Sequence, residues 1–159
     1  VKAQPELIHK LAQTDLYTDG REYVILKIGL VQGLRVALEP DQLPVAFWAC
    51  MRDKDEVTLL LSQEAVAQLP TSVAVLDVSP SYRLITFDIP LDWGVVGYLA
   101  TVTSLLADAG ISLFALSAFS RDHIFVAEAD FDRAWGVLHA FIRTCQEQVA
   151  DLEGDGKFA

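Results

Sequence analysis

Between Tyr82 and Ile142 the apolar residues change their spacing several times, and few folds accept the resulting order. In residues 82–89 (YRLITFDI), Ile85, Phe87 and Ile89 alternate with Thr86 and Asp88, the period-two pattern of a strand whose sheet is buried on one face. After a loop at 90–94 the period lengthens. Val95, Leu99, Val102, Leu105, Leu106 and Ala109 fall three or four apart and form one apolar helical stripe. Gly110 supplies a stop, because the left-handed conformation at a helix end needs no Cβ. Residues 111–119 (ISLFALSAF) and 123–127 (HIFVA) then read as two strands separated by Ser120, Arg121 and Asp122. Asp130 is placed to cap a last helix that buries Phe131, Trp135, Leu138, Phe141 and Ile142. The order is β-α-β-β-α, an α+β sandwich of the ferredoxin-like (βαββαβ) kind, which ordinarily has four strands. Only three are visible here. The fourth is expected from the first half or from a partner chain, so that the modules interlock.

The first half is strand-rich. Residues 5–13 (PELIHKLAQ) carry Leu7, Ile8 and Leu11 on one helical face, and Pro5 suits a first turn. Turns are expected at 18–20 and 39–41, strands at 23–30, 45–51, 57–61 and 73–78, and a reversal at 52–56. Ser62 opens a short helix that ends before Pro70. The expected division is an N-terminal helical extension at 1–20, a first module at 21–80, a second at 81–149 and an acidic flexible tail at 150–159.

Composition narrows the function. The net charge of −10 lacks the clustered Lys and Arg that neutralise phosphates, which argues against nucleic acid. Apolar residues make up 52%, yet no run approaches the ~20 residues of a membrane span, and no signal-peptide stretch opens the chain. A cytoplasmic location without membrane association is expected. Cys50 and Cys145 have no CxxC partner, and Cys50 reads as a small buried hydrophobe. His9, His123 and His139 fit no metal-ligand spacing, and no cofactor is expected.

The stretch 91–138 resembles ACT modules in Gly97-Tyr98-Leu99-Ala100, Ala109-Gly110-Ile111-Ser112, Ser117-Ala118-Phe119 with Asp122-His123 and Val126, and Glu128-Ala129-Asp130-Phe131. More closely it is similar to small tandem-ACT proteins related to the regulatory halves of aspartate kinases and to the arginine-sensing CASTOR proteins. Residues 45–68 agree more weakly with the first module of that group. Ala118 stands in place of the usual Thr, and Val96 where many ACT modules have the proline of an Asp-x-Pro-Gly loop. The resemblance implies two ACT modules with a small-molecule pocket at their junction, a regulatory role and no catalysis.

An α-amino acid needs donors for its carboxylate and acceptors for its ammonium. The loop before the 95–109 helix offers donors, because the first N–H groups of a helix lack intrahelical partners and attract anions. Gly94, Val95, Gly97 and Tyr98 are the candidates there; both glycines equally suit a tight turn or close packing. Asp122 sits in the hairpin, where it is either a solvated turn residue or an acceptor for an ammonium or guanidinium. The resemblance implies ligand contact for it. Ser117 and Phe119 line the same groove or belong to the core. Ser117, Ser120, Asp122 and His123 cluster in sequence, but neighbours on a strand point oppositely, which disfavours a catalytic triad. The expected partners are an amino acid and either a second copy or a regulated protein. The alternative is an interaction or oligomerisation module with a vestigial pocket.

Overall fold

Each apolar period of the second half becomes an element, and a short strand joins them from the N-terminal side. The computed structural model describes residues 5–29 and 46–155. In chain order the elements are α1 (Pro5–Ala12), β1 (Asp15–Tyr17), β2 (Glu22–Ile28), β3 (Ala49–Arg52), β4 (Val57–Ser62), α2 (Gln63–Val66), β5 (Val75–Val78), β6 (Tyr82–Asp88), α3 (Tyr98–Asp108), β7 (Leu113–Ser117), β8 (Asp122–Ala127), a 3-10 turn (Glu128–Asp130) and α4 (Phe131–Asp155). They fall into two units. One spans residues 20–83; the other joins the segment up to Asp19 to everything from Leu84 onward.

The discontinuous unit holds the β-α-β-β-α order and its missing strand. Its strands lie in the order β1-β6-β8-β7. Strand β1 runs antiparallel to β6 through Asp15↔Asp88, Leu16↔Phe87 and Tyr17↔Thr86, and β7 runs antiparallel to β8 from Leu113↔Val126 to Ser117↔Asp122. The result is a ferredoxin-like α+β module whose fourth strand comes from the first half of the chain. Helix α1 belongs to it as well: Leu7 and Leu11 are buried in one cluster with Phe87, Leu106, Ile124 and Leu138. Burial of a leucine contributes about 1.5–3 kcal/mol, so the N-terminal segment, expected as an extension, is part of this module's core.

Helix α3 begins at Tyr98 rather than Val95, because Gly97 caps it in a left-handed conformation. It ends as expected at Gly110, with φ +69°. There the Gly110 N–H donates to the Ala107 carbonyl at 2.8 Å and the Ile111 N–H to the Leu106 carbonyl at 2.9 Å. This paired closure is sealed by burial of Ile111 and Leu106. Asp130 takes the guanidinium of Arg133 at 2.7 Å across one turn. Helix α4 then continues to Asp155, where a flexible tail from residue 150 had been expected. Residues 143–153 contain no Gly or Pro to break the helix, although Cys145 is its last buried side chain among those described.

In the unit spanning 20–83, β2 pairs antiparallel with β4 from Tyr23↔Ser62 to Ile28↔Val57. Strand β3 pairs with β4, and β5 lies against Leu26, Lys27 and Ile28 of β2. Alternate residues Val24, Leu26 and Ile28 meet Val57, Leu59 and Leu61 in a core closed by Ala65. Cys50 is half-buried against that core rather than inside it. The expected reversal is held by Asp53, whose Oδ1 accepts from the N–H groups of Asp55 and Glu56 at 2.7 and 2.8 Å. Ser62 caps α2 through a 3.2 Å bond from the Ala65 N–H. The strand expected at 45–51 begins at Ala49. Val45, Leu30 and the turn expected at 39–41 lie outside the described residues.

Candidate functional site

After β6 the chain leaves the sheet, and contacts to α1 and to the β7–β8 hairpin fix its path. The Lys10 ammonium donates to the Pro90 carbonyl at 3.3 Å and reaches the Asp92 carboxylate at 3.5 Å. The Leu91 N–H donates to the Ser120 carbonyl, and the Val95 N–H to the Asp92 carbonyl. The loop closes at Gly97 with φ +88°, and a Cβ added there would stand 3.5 Å from Leu7 Cδ2. An L-residue is strained in that conformation. No side chain caps the helix that follows. The N–H groups of Tyr98, Leu99 and Ala100 therefore emerge without intrahelical acceptors.

The hairpin approaches the same place. Its turn is closed by a 2.9 Å bond from the Ala118 N–H to the Arg121 carbonyl. Across it, the Ser117 hydroxyl donates to Asp122 Oδ1 at 2.6 Å, while Arg121 Nε donates to Asp88 Oδ1 at 2.6 Å. Loop, helix start and hairpin enclose a groove of about 290 Å³ lined by residues 91–93, 95, 97–100 and 117–122. That volume is near the lower end of small-molecule sites, roughly 300–1,000 Å³.

Six of the seven residues singled out in the sequence line this groove: Val95, Gly97, Tyr98, Ser117, Phe119 and Asp122. Gly94 does not; it is exposed, and a Cβ there would meet nothing within 4 Å. Tyr98 is at the groove in an unexpected way. Its side chain is 3% exposed, its phenol shares a 2.7 Å hydrogen bond with Thr14 Oγ1, and its ring packs edge-on against Phe87. Burial pushes the phenol pKa up, so the hydroxyl is a core group. Phe119 is the reverse case. It is 82% exposed and meets the 85% exposed Trp93 edge-to-face at 5.6 Å. Trp93 reads in the sequence as core or interface; its position between Asp92 and Gly94 in a loop was the one hint of exposure.

Asp122 and His123 are successive strand residues and have different surroundings. His123 is buried, with Nδ1 2.9 Å from Thr86 Oγ1. Burial pushes its imidazole below the ordinary value, with smaller opposing contributions from Asp122 (upward) and Arg121 (downward). Ser117 and Asp122 are hydrogen-bonded to each other, whereas His123 is engaged with Thr86. The three do not form a relay. A second groove, of about 400 Å³, lies where residues 14–16 meet Gly136, His139 and Arg143 of α4. Among the described residues no group of His, Cys, Asp and Glu is arranged to hold a metal ion, and no helix is long and apolar enough to cross a membrane.

Residues 77–140 match the family model of the ACT domain. This segment is similar to an ACT domain. The match covers β6, α3, β7, β8 and the start of α4, and so every residue of the 290 Å³ groove. No curated protein matches the chain at a significant level. Among solved structures, a Vibrio cholerae protein of unknown function is 24% identical with a TM-score of 0.64, over 86% of this chain and 96% of that one. An Agrobacterium tumefaciens protein is 22% identical with a TM-score of 0.61, over 80% and 87%. The ligand-free regulatory subunit of aspartate kinase from Thermus thermophilus is 13% identical with a TM-score of 0.58, over 80% and 97%. At these identities the likeness is one of fold.

Proposed function

We propose that this chain is a non-catalytic regulatory protein that binds a free amino acid in the groove of its ACT domain. The ACT match and the fold shared with aspartate kinase regulatory subunits support a regulatory, ligand-binding role. The observation that carries the amino-acid reading is the pairing of an uncapped helix start with a carboxylate in one groove. The N–H groups of residues 98–100 suit the ligand carboxylate, because the positive end of the helix dipole adds to their own polarity. Asp122 suits the ammonium, and its bond from Ser117 orients it. A ligand held in the groove changes the protein's partners only if it binds one arrangement of modules more tightly than another. A cytoplasmic setting and a homodimer or a regulated protein partner complete the proposal.

Thermal melting with each of the twenty amino acids tests it. A ligand at 100 times its Kd adds about 2.7 kcal/mol, which raises the midpoint of a chain this size by about 5–10 °C. Absence of any shift across the series would remove the amino acid from the proposal. The exposed Trp93 and Phe119 favour a second reading, an interaction module whose groove is vestigial. Under it no amino acid shifts the midpoint, and the chain forms a stable oligomer or heteromer instead.

A further inference from the structure

Resting on the amino-acid reading, we infer that the ligand carries a large apolar side chain, branched aliphatic or aromatic, seated against Trp93 and Phe119. The acids around the groove are already allotted. Asp92 faces Lys10 at 3.5 Å, Asp88 holds Arg121 at 2.6 Å, and Asp122 accepts from Ser117 and is the acceptor left for the α-ammonium. No carboxylate remains for a cationic side chain. Arg121 is the one cation among the lining residues, and its pairing with Asp88 leaves an acidic side chain without a counter-charge beside Asp92 and Asp122.

What remains at the mouth is carbon. Trp93 and Phe119 are 85% and 82% exposed and meet edge-to-face, and Leu91, Val95 and Leu99 continue the apolar surface inward, half-buried against the core. Large apolar side chains this exposed and in mutual contact gain most from a partner that excludes water over them. An edge-to-face aromatic pair accepts an aliphatic or aromatic group without any further polar contact. With a volume of about 290 Å³, the groove suits one such amino acid rather than a peptide.

The test titrates the full chain with leucine, isoleucine, phenylalanine and tryptophan, against arginine, lysine, aspartate, glutamate and alanine. Midpoint shift is the first readout and the intrinsic fluorescence of Trp93 the second. The expected result is a shift with at least one apolar member, none with the charged ones, and a blue-shifted emission that Trp93→Phe abolishes. Phe119→Ala, a change at an exposed position, should weaken the apolar ligand at least about tenfold and leave the unliganded midpoint in place. Arginine, lysine, aspartate or glutamate binding more tightly than every apolar member would overturn the inference and leave the amino-acid reading intact. No response to any of them would overturn the inference, and no response to any of the twenty amino acids would overturn the amino-acid reading as well.

Discussion

Gly97 and Gly94 lie three residues apart and differ in every physical respect. Only Gly97 has a positive φ, and only its added Cβ would find a neighbour, Leu7 Cδ2. Gly97→Ala should cost about 1–2 kcal/mol in urea denaturation, whereas Gly94→Ala should stay within about 0.5 kcal/mol and leave ligand response unchanged. Sequence reasoning could not separate the two, because a backbone angle in a loop is set by what the loop must reach. Asp122 was read as a hairpin residue and Ser117 as either groove or core, and both line the groove. Sequence reasoning could not see that Tyr98 turns its phenol to Thr14, a contact spanning 84 positions. For Asp122, half-exposed and hydrogen-bonded, loss of charge in Asp122→Asn should weaken the amino acid about 10–100-fold, the range of a bond to a charged group. Calorimetric titration checks it, and unchanged affinity would exclude Asp122 from the site. His123 provides a pH test. Its folded pKa is below its unfolded value of about 6.5, so the unfolded chain binds more protons there and stability falls as pH drops below about 6.5. His123→Gln should flatten that part of the curve, by at most ~1.4 kcal/mol per pH unit.

Elements with strong periods were legible, and short or context-made ones were not. Strand β6 and helix α3 follow from their apolar spacing, and the end of α3 from Gly110. Strand β1 has three residues, Asp-Leu-Tyr, too few to show a period, and exists because β6 offers it a partner. Helix α1 was visible, but not its place in the module core, since that depends on packing with residues from Ile85 onward, far along the chain. Leu11→Ala should therefore destabilise this module by about 2–5 kcal/mol, measured on the full chain; a loss under 1 kcal/mol would mean that α1 is a dispensable attachment. Gly136 in α4 has open space around it. Replacing it by Ala should stabilise the chain by about 0.5–1 kcal/mol.

At the scale of the molecule, one module is assembled from two separated stretches of chain, residues up to 19 and from 84 onward. The candidate groove lies within that module, at the helix start and hairpin that the match to the ACT family model covers. The central claim is that a free amino acid occupies this groove, and amide chemical shifts of isotope-labelled protein report its place most directly. Titration with the amino acid that raises the midpoint most should move the resonances of residues 97–100 and 117–122 together, saturating at one stoichiometric ratio. Movement confined to residues 14–16 and 136–146, around the larger groove, would contradict the account.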